Sequence, residues 1–261
     1  VEWYKENVRM SETAWYAPMN RSYAIKYARE HGYDYLVQLD DNITALEIVY
    51  QIKEDGILHK YRRGGGGQDM VNDFISFMGV VADNTNAAMV GMQLNGSASP
   101  HADFLGERYC YSFFLLDLKS CPDIFHGDFE DDIEYRMKCA EMGLPIIQIM
   151  PFRYSKKGQL SSKDESGNRA AYTKAGLKRG EHMRVLHGDL YSCGYSYKTA
   201  STTTKTDGQF FKHRVKSFKV GTQTKGTEQI NRAFLELLKK YAEPHEDRAI
   251  IKEKRLRSRK K

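Results

Sequence analysis

The feature that most constrains this chain is Tyr35-Leu36-Val37-Gln38-Leu39 running directly into Asp40-Asp41-Asn42. Gly32 precedes the apolar run and polar residues follow it, so it reads as a short buried strand. The strand ends in two carboxylates and a carboxamide. In α/β sheets, ligands bind beyond the carboxyl ends of strands, and these three side chains fall there. All three carry hard oxygen donors, the set that Mg²⁺ or Mn²⁺ prefers. The same residues also suit turn chemistry and helix capping, a purely structural use. Thr44 and Glu47 then form a capping-box pattern, which predicts a helix from about Ala45 to Asp55, stopped by Gly56.

The remaining elements follow from periodicity and punctuation. The first twenty residues hold Trp3, Tyr4, Trp15 and Tyr16 without a clear period. A helix is predicted from Asn20 to His31, ended by Gly32 as a left-handed cap. Residues 57–62 suggest a short strand, 69–82 a helix, Ala87–Leu94 a buried strand and Tyr109–Leu118 an aromatic-rich one. Gly64-Gly65-Gly66-Gly67 suits no packed element, and reads as a mobile loop or an engineered replacement for one. Phe129, Ile133, Met137 and Ala140 lie on one stripe of a helix spanning Phe129–Met142, which Gly143 and Pro145 close. Leu144–Met150 returns as a strand, and the polar stretches 153–168 and 192–209 read as loops. Phe210–Val220 alternates apolar and basic residues, as a half-exposed edge strand or hairpin does. Ile230, Ala233, Phe234, Leu237, Leu238 and Tyr241 form a second amphipathic stripe, closed by Pro244. Strands alternating with helices predict an α/β fold with a mostly parallel central sheet.

Charge divides the chain. Residues 1–150 carry 13 Lys/Arg against 23 Asp/Glu, a net of −10, and residues 151–261 carry 27 against 11, a net of +16. An acidic half suits cations, and a basic half interleaved with tyrosines and phenylalanines suits phosphates, nucleic acid above all. Residues 248–261 alone account for +7. The expected organisation is a catalytic domain over 1–190, a basic segment with an amphipathic helix over 191–243, and a disordered basic tail over 244–261. No apolar run approaches a membrane span and no secretory signal opens the chain, so no membrane partner is expected. Cys110, Cys121, Cys139 and Cys193 form no CxxC pair, which fits a reducing, cytoplasmic compartment.

Three further groups could carry chemistry. Gly127-Asp128-Phe129-Glu130-Asp131-Asp132 places four acids in five residues at the head of a helix. The helix dipole accounts for one or two of them. Four like charges this close call for a cation, or for raised pKa values that make one of them a general base near neutrality. His182 and His187 follow that helix, and His187, beside Gly188, is the better candidate to complete a metal site begun by Asp40, Asp41 and Asn42. Ahead of the strand, Arg21 or Lys26 could reach a phosphate, although a solvated helix face suits Lys26 equally well.

In this order the motifs resemble a glycosyltransferase of the GT-A fold, a Rossmann-like α/β architecture. The resemblance implies that Asp40-Asp41-Asn42 matches the DxD-like motif, which holds a divalent metal on the diphosphate of a nucleotide sugar. It implies that Phe129-Glu130-Asp131 matches the xED motif, making Asp131 the acceptor-activating base, with Asp132 in reserve and Glu130 beside them. His187 matches the late metal histidine. Gln38-Leu39-Asp40-Asp41-Asn42-Ile43, with Asn20-Arg21 ahead of it, looks most like the TET/JBP-associated glycosyltransferases, which are implicated in adding sugars to hydroxymethylated pyrimidines in DNA. The implied function is hexosyl or pentosyl transfer that depends on Mn²⁺ or Mg²⁺. The implied donor is a nucleotide sugar, most readily a UDP-sugar, bound by Asn20, Arg21 and Asp40; the implied acceptor is DNA, and the implied setting is the cytoplasm of a phage-infected host. Two departures stand out. Asn42 replaces an acid, shifting ligation toward Asp40 and Asp41, and only 39 residues precede Asp40, the mark of a truncated or reduced form.

Overall fold

The structure, a computed structural model, describes residues 3, 16–54, 57–65, 67–95, 104–126, 130–156, 180–198, 208–216 and 220–242. Its helices are α1 (Tyr16–Glu30), α2 (Gln68–Asp83), α3 (Asp131–Glu141), α4 (Glu181–His187) and α5 (Thr227–Ala242). Its strands are β1 (Tyr35–Leu39), β2 (Ile43–Glu54), β3 (Ile57–Gly65), β4 (Met89–Leu94), β5 (Leu105–Glu107), β6 (Phe113–Asp117), β7 (Ile146–Lys156), β8 (Tyr191–Lys198) and β9 (Gly208–Val215). The chain divides into two compact units. Unit 1 comprises 1–32, 122–143 and 158–220, and unit 2 comprises 33–121, 144–157 and 221–261.

Unit 2 is built on a seven-stranded sheet of order β1-β6-β4-β7-β2-β3, with β5 pairing β7. The fold is α/β, but the sheet is mixed. Only β4 and β7 run parallel among the described strands; the other pairs are antiparallel. The mostly parallel arrangement expected from alternating helices and strands is therefore not found. Two of the antiparallel pairs come from β2, which occupies the span expected to be a helix. Ile43, Thr44, Ile48, Val49, Tyr50 and Ile52 are β-branched or aromatic, and β2 pairs β7 on one side and β3 on the other. Thr44 does not cap a helix; its hydroxyl donates to the Ser155 carbonyl at 3.2 Å. The glycine run is also partly structured. Gly64 and Gly65 end β3 opposite Glu47 and Leu46, and Gly67 precedes α2 with extended backbone.

Met70, Phe74, Phe77, Met78, Val81 and Ala82 recur every three or four residues and bury one face of α2. They meet Leu46, Ile48, Val90, Ile147, Ile149 and Phe152 from the sheet and Ile230, Leu237 and Tyr241 from α5. Phe74 stacks on Phe152 with ring centroids 4.0 Å apart. Pro151 does not end β7. The β4–β7 register jumps from Met92↔Ile149 to Gln93↔Arg153, so Met150, Pro151 and Phe152 bulge out of that pairing. The strand then continues to Lys156, past the predicted end at Met150.

Unit 1 contains α1, α3, α4 and the antiparallel hairpin β8–β9. The Ser22 hydroxyl, wholly buried, donates to the Pro18 carbonyl at 2.7 Å and accepts from the Phe125 amide at 2.9 Å, tying α1 to the segment before α3. Phe125 stacks on Tyr135 at 3.8 Å. Gly32 and Gly143 both have φ of +73°, the left-handed conformation expected after α1 and α3. Residues 192–198 and 208–209, expected as loop, are strand. Gly127, Asp128 and Phe129, the loop expected beyond 156, Pro244 and the basic tail lie outside the described residues.

Candidate functional site

The head of α3 gathers three carboxylates. Glu130 precedes the helix without a side-chain capping bond, so capping does not explain this acid. Arg21, on α1, donates to Asp131 Oδ2 at 2.6 Å, with 18% and 16% of the two side chains exposed. The Arg21 guanidinium also lies 5.6 Å from the centre of the Phe125 ring. Glu130 Oε2 lies 3.0 Å from His213 Nε2, and His213 Nδ1 lies 2.7 Å from the Tyr191 hydroxyl. With the Nε2 proton facing the carboxylate, Nδ1 accepts from the Tyr191 O–H, so the chain Tyr191–His213–Glu130 fixes the imidazole tautomer. Asp132 accepts from the Ile133 amide at 2.9 Å, and among the described residues no cation pairs with it.

This arrangement separates neighbouring acids. Burial, together with the charges of Asp131 and Glu130, pushes the Asp132 carboxyl up to about 7, against the opposing pull of Arg21 and the Ile133 amide. Asp131 is also raised; burial is the largest influence, opposed by the charge and hydrogen bond of Arg21. A carboxyl that titrates near neutrality takes or gives a proton at physiological pH. Of the residues assigned to donor binding, Arg21 thus lies in this cluster. Asn20 is exposed on α1, and Lys26 pairs with Glu30 one turn along that helix.

His187 belongs to a second network in unit 1. Its Nδ1 donates to Glu141 Oε1 at 2.8 Å, and its Nε2 lies 3.5 Å from Glu134 Oε1. Glu134 also accepts from the His126 amide at 3.2 Å. Burial works to raise the Glu134 pKa, but His126, which hydrogen-bonds it, and His187, 3.5 Å away, overcome it and hold the group at about 2. Burial works to lower His187, and Glu134 and Glu141 overcome that and raise it.

The Asp40-Asp41-Asn42 turn lies in unit 2. The Asp40 amide donates to the Ser112 carbonyl at 2.9 Å. Lys156, at the end of β7, donates to Asp40 Oδ2 at 2.7 Å and to the Ser112 hydroxyl at 2.6 Å. Ser112 is only 4% exposed, and its amide reaches the Tyr154 hydroxyl at 3.4 Å. Asp41 is exposed. Asn42 Oδ1 is buried, with no hydrogen-bond partner among the described residues. As placed, these residues do not fit a divalent metal, because an ammonium already neutralises the first carboxylate and a neutral amide oxygen is a weak replacement for it. Among the described residues, no group of three or more His, Cys, Asp or Glu side chains is arranged to share a metal ion.

The β8–β9 register sorts the hairpin into two faces. Lys212 and Arg214 pair with Gly194 and Ser192, and with Lys216 they follow a two-residue period, all three exposed. His213 falls between them and takes the opposite face, toward Glu130. His213, Tyr191, Ser112 and Lys156 were not singled out by sequence reasoning. The alternation at 210–220 held a usable signal for His213, since period two places it opposite Lys212 and Arg214. Comparison with known proteins finds no match: no family model, no curated protein and no solved structure.

Proposed function

We propose that this protein is a glycosyltransferase that moves a sugar from a nucleotide-sugar donor, a UDP-sugar first among them, to a hydroxyl group, with a hydroxymethylated pyrimidine of DNA as acceptor. The observation that carries the reading is Asp132, a carboxyl held near pH 7 at the head of α3 beside Asp131, paired with Arg21, and Glu130, facing His213. In the proposed step the acceptor oxygen attacks the anomeric carbon while Asp132 takes the hydroxyl proton. The bond to the diphosphate breaks, and its electron pair leaves with the diphosphate. The anomeric centre is inverted. The resemblance gives the base role to Asp131, but Arg21 engages that carboxylate, so the role passes to Asp132. No step is assigned to a metal.

The basic face of β9 supports a nucleic-acid acceptor over a glycan, lipid or protein, since its exposed lysines and arginine have no carboxylate partner among the described residues. A non-catalytic nucleic-acid-binding module is the second reading, favoured by the ion pair that already neutralises Asp131 and by the His213 contact that engages Glu130. The deciding experiment incubates the protein with UDP- and GDP-sugars and hydroxymethylated DNA, and reads nucleoside mass. A sugar-sized mass gain that Asp132→Asn removes supports transfer. Salt-sensitive DNA binding with no mass gain favours the binding module.

A further inference from the structure

The expected metal motif already contains a cation of its own. Lys156 comes from the far end of β7, beyond the bulge at Met150–Phe152, and reaches Asp40 and Ser112 at 2.7 and 2.6 Å. The contact is anchored. The Ser112 carbonyl accepts from the Asp40 amide, its amide reaches Tyr154, and its hydroxyl takes the Lys156 ammonium. One buried residue thus fixes both partners of the ion pair. The two side chains are 20% and 30% exposed, so the pair is partly withdrawn from water and less screened than a surface pair.

We propose that Lys156 replaces the divalent cation at the Asp40-Asp41-Asn42 turn, making this turn an internally neutralised, metal-independent site. A metal ion on Asp40 would face a fixed ammonium across the same carboxylate, and the ligands left to it would be one exposed carboxylate and one amide oxygen. Those are too few anionic oxygens to hold a hard cation against its own hydration. With its charge supplied by the chain, the turn meets a ligand through hydrogen bonding. Asn42 Oδ1, buried and without a partner among the described residues, is an acceptor for an O–H or N–H. The ligand class, a polyhydroxyl group such as a sugar or ribose, rests on the transferase reading; the exclusion of metal does not.

The test uses the full chain and Mn²⁺ as probe, with binding read by electron paramagnetic resonance and by paramagnetic broadening of the Asp40–Asn42 resonances. The wild type is expected to show no site-specific Mn²⁺ binding at this turn below millimolar concentration. Lys156→Met is expected to gain affinity at least tenfold, Lys156→Arg to keep the wild-type behaviour, and Asp40→Asn added to Lys156→Met to remove the gain. Circular dichroism checks that each variant is folded, and Lys156→Gln serves if the methionine variant is not. Tight Mn²⁺ binding by the wild type at this turn, or no gain in either neutral variant, overturns the proposal. Because turnover is not read, a failed sugar-transfer assay leaves this result standing and counts only against the transferase reading.

Discussion

The Asp40–Asn42 turn and the head of α3 are both acidic, and each has drawn in a basic side chain from a distant part of the sequence. They differ in what that side chain leaves over. At the turn, Lys156 neutralises Asp40, while Asp41 projects into water. At the helix, Arg21 takes Asp131 and His213 faces Glu130, but Asp132 remains, half-buried among like charges. An acid cluster becomes chemically poised through burial and incomplete neutralisation, and the number of acids decides little.

The largest expected effect separates the two sites by activity. Asp132→Asn should lower transfer by about 10²–10⁴-fold, the usual contribution of a positioned base, while leaving UDP-sugar affinity within about twofold by calorimetry. Transfer near the wild-type rate would move the chemistry away from α3. Arg21→Met should act on stability and titration together. Leaving Asp131 partly buried without its partner should cost about 3 kcal/mol in denaturant unfolding, the low end for a broken buried pair. It should also move the acid limb of the pH–rate profile upward, since Arg21 pulls down both Asp131 and Asp132.

Stability against pH supplies a third test. Glu134, held at about 2 from an ordinary 4.5, adds stability above pH 4.5 that is lost as pH falls toward 2. His187, raised above 6.5, adds stability that is complete below pH 6.5 and disappears as pH rises through its folded value. Asp132, raised from 3.8 to about 7, favours the folded state when protonated, so stability falls as pH rises between those values. Melting temperature should therefore peak in acidic solution, at about pH 4, where the Glu134 gain is nearly complete and the Asp132 loss begins. Asp132→Asn should flatten the decline between pH 4 and 7, and a peak above pH 8 would refute these assignments. The smallest effect belongs to Tyr191→Phe, which removes one hydrogen bond to His213 and should cost about 1 kcal/mol by chemical denaturation.

Local patterns were legible where one physical demand dominated. Tyr35–Leu39 is a strand with the predicted bounds, and the glycines at 32 and 143 stop their helices with positive φ. The pattern failed at Thr44–Glu47, where a capping signature lay inside a β-branched sequence and pairing with β3 and β7 prevailed. It failed again at Pro151, a breaker in a regular strand that a bulge absorbs. Asp131 and Asp132 were visible because four adjacent acids need explanation. Arg21, the partner of Asp131, lies 110 residues before it, and His213, the partner of Glu130, lies 83 residues after it, separations across which no local period reports. Lys156 was hidden in the same way, beyond a strand predicted to end six residues earlier.

The central claim is that Asp132 is poised near neutrality, and a ¹³C-detected side-chain carboxyl titration, assigned with Asp132→Asn, tests it most directly. The account predicts a midpoint near pH 7, moving upward in Arg21→Met. A midpoint near 4, the ordinary aspartate range, with no response to Arg21, would contradict it.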